Sequence, residues 1–279
     1  MKNFCDLHTH STYSDGTLTP EQLVLEAKRI NLGAIALTDH NTVAGLPDFL
    51  SAAEEAGVTA IPGIELTTEY RSKELHILAL FLQPRHYGPI SELVVEMMTR
   101  KDQSNRELVY NLAREGIHLD YDAICAGSSN RYPNRAVIAA EMVRLGYCSS
   151  IKECFSRWLS PKFGHYIPPK RLDALKTIRF IRSLGAVPVL AHPLLSLEAG
   201  ELEEFLPQAV EDGMIAMETH YSTFTQEQTR YLADLADHLG LRQSGGSDFH
   251  GSNKPDIQLG TGRGNLSIPF EFSANLSQF

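Results

Sequence analysis

Imidazole and carboxylate side chains recur in this 279-residue chain where apolar runs end, and that placement limits the folds open to it. The segments are His8-Thr9-His10, Asp15, Asp39-His40, Glu65, His76, His192 and Asp248-Phe249-His250. Side chains at the ends of parallel strands converge on one rim of a barrel, where barrel enzymes build their sites. Nitrogen and carboxylate oxygen are the ligands that zinc, manganese and iron accept. Gathering so many charges without cations to neutralise them is costly. The pattern therefore predicts a metal site on the rim of an α/β barrel.

The spacing within the set sharpens the expectation. His8 and His10 are two apart, which in a strand puts both on one face. Asp248 and His250 repeat that spacing after Ser244-Gly245-Gly246, where small residues let backbone approach closely. Pro193 after His192 ends a strand. Asp39 is read as a partner that orients His40. His86, His118, His165, His220 and His238 fall outside the set, as surface or substrate-side residues.

The alternation of elements agrees with a barrel. Phe4–His8, Ala34–Thr38, Val58–Leu66 and Leu75–Leu82 read as strands. Thr19-Pro20-Glu21 opens a helix that Gly33 ends, and Gly57 closes another over 46–56. This rhythm predicts a mainly parallel sheet or barrel. It breaks near Pro84. A long helix over 91–115, a loop over 127–134 and helices over 134–145 and 151–159 follow. The alternation resumes at 186–191, 201–212, 214–219, 226–239 and 241–247. The expected organisation is a barrel from 1–92 and 171–279, with a helical insertion over 93–170.

Charge divides along the same line. Residues 93–171 hold 12 Lys+Arg against 8 Asp+Glu, while the remainder holds 13 against 26, within a net charge of −9. A basic insertion beside an acidic, metal-binding body suits a small anionic substrate, and the overall acidity disfavours nonspecific binding of long nucleic acid. No stretch is apolar enough to span a bilayer and no signal region precedes the first ligands, so the expectation is a cytoplasmic protein without a membrane partner. Cys5, Cys125, Cys148 and Cys154 form no Cys-x-x-Cys pair and read as reduced. The oligomeric state is left open.

Asp6-Leu7-His8-Thr9-His10-Ser11, Ser14-Asp15-Gly16, Thr38-Asp39-His40, Gly63-Ile64-Glu65, Ala191-His192-Pro193 and Gly246-Ser247-Asp248-Phe249-His250 together resemble the motifs of the PHP (polymerase and histidinol phosphatase) family. The resemblance implies a distorted (β/α)7 barrel with a trinuclear centre of manganese, iron or zinc. It implies that His8, His10, Glu65 and Asp248 hold one ion. Glu65 would bridge to a second at His76 and His192, and Asp15, His40 and His250 would hold a third.

The insertion, from Asn134-Arg135 through Cys154-Phe155, Trp158-Leu159 and Tyr166-Ile167-Pro168-Pro169, is similar to the stand-alone phosphoesterases of that family. They include nucleoside 3′,5′-bisphosphate phosphatases and 5′-to-3′ exoribonucleases. The resemblance implies that Arg135 grips phosphate, with Arg100 and Lys101 assisting, and that Arg135, Glu65, Asp248 and His192 carry catalysis. Val137, Ser104 and Phe224 depart from the group's usual residues. The expected activity is hydrolysis of a small nucleotide phosphomonoester. The alternatives are exonucleolysis of short RNA or DNA, histidinol-phosphate hydrolysis and a non-catalytic metal-stabilised module.

Overall fold

The computed structural model describes residues 4–127 and 133–279, which form two compact units. The first is built from residues 1–91 and 172–279, the second from residues 92–171.

The first unit is a nearly closed barrel. Its strands are β1 (Cys5–Asp6), β2 (Ala34–Leu37), β3 (Thr59–Tyr70), β4 (Lys73–Leu80), β5 (Leu172–Asp173), β6 (Val187–Leu190), β7 (Ala216–Tyr221) and β8 (Arg242–Gly246). They pair in the order β1-β2-β3-β4-β6-β7-β8, with β5 added beside β3. Hydrogen bonds from Leu7 N to Gly245 O (3.1 Å) and from Asp248 N to His8 O (2.9 Å) bring β8 against β1. That contact needs Gly246, because a Cβ there would lie 2.1 Å from His8 Cβ. Helices between strands include α1 (Pro20–Arg29) and α2 (Leu46–Ala56). Thr19 caps α1 in a reciprocal box with Gln22, and left-handed Gly57 closes α2.

The barrel interior is fully buried Cys5, Leu7, Ala34, Ala36, Leu78, Leu80, Val189 and Ala216. Each large aliphatic removed from water stabilises by about 1.5–3 kcal/mol, which fixes strand order and register.

The expected parallel rhythm fails at β4, which is antiparallel to both β3 and β6. A two-residue turn at Arg71 and Ser72, both at positive φ (47° and 65°), folds β4 directly back on β3. Neither residue is the Asn or Gly that such turns favour.

The second unit is helical. The helix α3 (Pro84–Arg114) starts in the first unit and enters the second at residue 92; it begins seven residues before the expected 91, because Pro84 starts a helix rather than ending one. It is followed by α4 (Tyr121–Gly127), α5 (Arg135–Arg144) and α6 (Ile151–Cys154), the last running on into a π-helical turn at Phe155–Leu159. Leu108, Leu112, Ile138, Met142, Cys154 and Leu159 form its core. The loop expected over 127–134 falls mostly outside the described residues.

The first unit continues through α7 (Ala174–Leu184), α8 (Pro193–Ser196), α9 (Ala199–Glu211), α10 (Gln226–Leu239) and α11 (Phe270–Leu276). No described helix is long and apolar enough to cross a membrane.

Candidate metal centre

The barrel gathers all nine expected ligands at one rim. His8 and His10 follow β1, His40 follows β2, His192 follows β6, and Asp248 and His250 follow β8. Glu65 lies within the long strand β3, bridged in parallel to His40. His76 is the exception that the hairpin explains. Because β4 runs antiparallel, its first half rather than its end lies at this rim, and His76 sits opposite Thr67.

Glu65 is the centre of the arrangement. It is fully buried, and its two oxygens face different histidines. Oε2 lies 3.2 Å from His8 Nε2, 3.2 Å from His10 Nε2 and 2.9 Å from His40 Nδ1. Oε1 lies 2.7 Å from His76 Nδ1 and 3.0 Å from His192 Nε2. Asp248 Oδ1 completes the first group, 3.2 Å from His10 Nε2 and 3.6 Å from His8 Nε2. A third group is more open. Asp15, with a half-exposed side chain, lies 3.2 Å from His250 Nε2, 3.7 Å from His10 Nδ1 and 3.9 Å from His40 Nε2.

These spacings test the fit to cations. Donors about 2.0–2.2 Å from one ion in tetrahedral array lie about 3.3–3.6 Å apart, close to the first group. The His8 and His10 Nε2 atoms point at each other across 3.1 Å. Glu65 Oε2 is buried without a hydrogen-bond partner of good geometry. Nitrogens and a carboxylate oxygen aimed at one point suit a shared cation. Groups able to hold an ion are His10/Asp15/His40/His250, His8/His10/Glu65 and His40/Glu65/His76. His40 thus belongs to two groups and lies nearer Glu65 than Asp15.

Electrostatics reports the crowding. Burial pushes His8 down, but Glu65, Glu218 and Asp248 outweigh it and hold it well above its ordinary value. His76 is raised to about 10 by Glu65, again against burial, and His40 is raised likewise. Burial lifts Glu65 and Asp248, yet the histidines around them hold both carboxyls well below their usual range. The backbone is also strained here. His192 and Asp248 adopt positive φ (28° and 57°), at about 1–3 kcal/mol each.

Several supporting residues escaped the sequence reading. Buried Glu218 in β7 accepts from His8 Nδ1 (2.9 Å) and from the His192 backbone N–H (2.6 Å), fixing two candidate ligands at once. Asp6, fully buried, accepts from the backbone N–H groups of Ser247 (2.9 Å) and Gly260 (2.8 Å). A lone carboxylate inside each apolar strand was the available signal. Asp39 does not orient His40. Its oxygens take Ser11 N (2.7 Å), Ser11 Oγ (2.6 Å) and Ser14 Oγ (2.6 Å), so it anchors the loop that carries Asp15. Neighbouring residues of an extended segment point to opposite sides. Buried His86 is not a surface residue; its ring accepts from Gln83 N at 3.1 Å.

The three expected substrate contacts lie in the helical unit. Arg135, the first residue of α5, donates to Leu159 O (2.8 Å) and stacks on Tyr166 (4.1 Å) and Phe155 (5.5 Å). Arg100 on α3 pairs with Glu96 one turn earlier. Lys101 is partly buried, and burial lowers its pKa.

The PHP domain model matches residues 6–152, more than half of the chain. The chain belongs to the PHP family. A 5′-3′ exoribonuclease of Haemophilus influenzae is 30% identical over 246 residues, covering 88% of this chain and 89% of its own. A 3′,5′-nucleoside bisphosphate phosphatase of Chromobacterium violaceum is 25% identical over 257 residues, covering 91% and 90%. A crystal structure assigned as a metal-dependent phosphoesterase, from Bifidobacterium adolescentis, superposes with a TM-score of 0.73 at 26% identity, covering 98% of this chain and 94% of that one. This PHP protein is a metal-dependent phosphoester hydrolase.

Proposed function

We propose that this PHP protein hydrolyses a phosphate ester of a nucleotide at a three-ion centre bridged by Glu65. The observation that carries the reading is the divided Glu65 carboxylate, with Oε2 among His8, His10 and His40 and Oε1 between His76 and His192. His8, His10, Glu65 and Asp248 would hold one ion, Glu65, His76 and His192 a second, and Asp15, His40 and His250 a third. Bound divalent ions supply Lewis acidity and an activated water near neutral pH. The chain supplies the fixed donors and, through Glu218, holds His8 and the His192 backbone in place. In the helical unit, Arg135 offers a planar fork that suits two phosphate oxygens, and its stacking on Tyr166 restrains it in advance. Arg100 and Lys101 would serve the same anion.

A nucleoside 3′,5′-bisphosphate is the substrate that best uses two separate phosphate grips. A second reading, stepwise release of nucleotides from the 5′ end of short RNA, is favoured by 30% identity to the Haemophilus enzyme across 88% of this chain. The two are chemically close. Removing a 3′-phosphate and releasing a 5′-terminal nucleotide both break the bond between phosphorus and a 3′ oxygen.

Phosphate and nucleotide release by manganese-loaded protein tests the proposal. The panel is a nucleoside 3′,5′-bisphosphate, a nucleoside monophosphate, histidinol phosphate and a short 5′-phosphorylated RNA. Preference for the bisphosphate is expected. Mononucleotides from RNA alone would establish the second reading, and preference for histidinol phosphate would defeat both.

A further inference from the structure

Lys254 lies outside every ligand motif, yet it is bonded to the cluster. A short 3-10 turn, Gly251–Asn253, brings it there. Gly251 adopts φ 64°, and a Cβ there would lie 2.0 Å from Thr17 Oγ1. Ser252 N then donates to Thr17 Oγ1 (2.9 Å) and Asn253 Nδ2 to Asp15 O (2.8 Å). The chain folds back over the rim, and Lys254 Nζ comes to rest 2.6 Å from Asp248 Oδ2.

That oxygen already has a neutral donor, the Tyr221 hydroxyl at 2.7 Å. An ammonium is therefore not needed to satisfy it. What Lys254 adds is positive charge at the edge of the cluster. The other oxygen, Oδ1, faces His8 and His10 Nε2. An ammonium carries three donors, and one goes to Asp248. The Lys254 side chain is 38% exposed, so the rest stays open to a solute. Asp248 thus presents Oδ1 to the candidate ligands His8 and His10 and Oδ2 to Nζ, so the ammonium sits one carboxylate away from the donor cluster.

We propose that Lys254 binds a phosphoryl oxygen of the substrate, held ready on Asp248 until the anion arrives. This rests on the metal-centre reading above and adds the cation, contributed by the barrel itself, that grips the reacting phosphate.

The test uses inorganic phosphate as the probe, titrated calorimetrically into manganese-loaded protein, with metal content measured by elemental analysis. Lys254→Met should keep its metal content and weaken phosphate binding by about tenfold or more, the scale of one charge-assisted hydrogen bond. Lys254→Arg should recover most of the loss. Phosphate binding unchanged in Lys254→Met would overturn the proposal. So would loss of metal along with phosphate in that variant, because Lys254 would then act only by supporting Asp248. If the parent binds metal and phosphate in a Lys254-dependent way but hydrolyses no nucleotide, the substrate reading fails and the Lys254 inference stands.

Discussion

The two units use charge in opposite ways. In the helical unit, the described ion pairs are mainly local: Arg100–Glu96, Arg106–Asp102, Arg144–Glu141 and Arg157–Glu153 each join residues three or four apart on one helix, while Arg106 also reaches Asp122 from α3 to α4. Pairs of this kind contribute about 0.3–0.5 kcal/mol. In the barrel, His8, Glu65, His192, Glu218 and Asp248 come from five separate segments and are buried against one another. A charge neutralised by its own helix is surface. A charge brought to its partner by the whole fold is held at an expense that only a function or a ligand repays. The basic excess of the insertion thus says less about binding than Arg135 does, because among the described residues aromatic rings and the Leu159 carbonyl hold it.

The contrast can be broken most sharply at Glu65. Glu65→Gln should lower phosphoester hydrolysis by about a thousandfold or more and reduce bound metal, both read on purified protein. Retained metal with normal turnover would mean the divided carboxylate is not the bridge. Glu218→Gln should cost about 10–100-fold in metal affinity or activity, since His8 and the His192 backbone lose their common anchor. In the helical unit, Arg135→Ala should lower turnover while leaving metal content intact; unchanged turnover would remove its phosphate role.

Proton linkage separates the units further. The raised pKa of His76, from 6.5 to about 10, favours the metal-free fold below pH 6.5, and this stabilisation is lost as pH rises toward 10. Metal-free protein should therefore melt at falling temperature across that window. Metal uptake near neutrality must expel protons, detectable by calorimetry in buffers of differing ionisation heat. The smallest effect belongs to the helical unit. Ser149 and Arg157 hold Glu153 down to about 2 from 4.5, so its contribution is present above pH 4.5 and lost as pH falls toward 2. Far-UV dichroism of a Glu153→Gln variant should differ from the parent only slightly, most above pH 4.5 and fading as pH falls toward 2.

The legible and illegible parts of this molecule follow from how local their causes are. Thr19-Pro20 and Gly57 act on their own helices, so α1 and α2 could be placed from sequence. The ligand motifs sit where apolar runs stop, and the rim could be foreseen. The β3–β4 hairpin could not, because Arg71-Ser72 carries no turn signature and takes its positive φ from strand pairing on either side. The start of α3 was hidden by a proline that reads equally as a break and as a beginning. Lys254 gave no signal, because its reach depends on the fold of the 251–253 turn. Asp39 stands next to His40 in sequence, yet its side-chain partners Ser14 and Ser11 lie 25 and 28 residues away, which adjacency does not reveal.

The hairpin also sets an order of events. Glu65 and His76 are eleven residues apart and meet as soon as β4 folds on β3. Asp248 meets His8 and His10 only when the last strand reaches the first, across nearly the entire chain. Short loops close sooner and at less entropic cost than long ones. Loop entropy thus favours the Glu65–His76 pair forming first, with the candidate donor set complete only as the barrel shuts. An ion captured by the full set would act as a latch on that final closure, favouring the shut form over every earlier one.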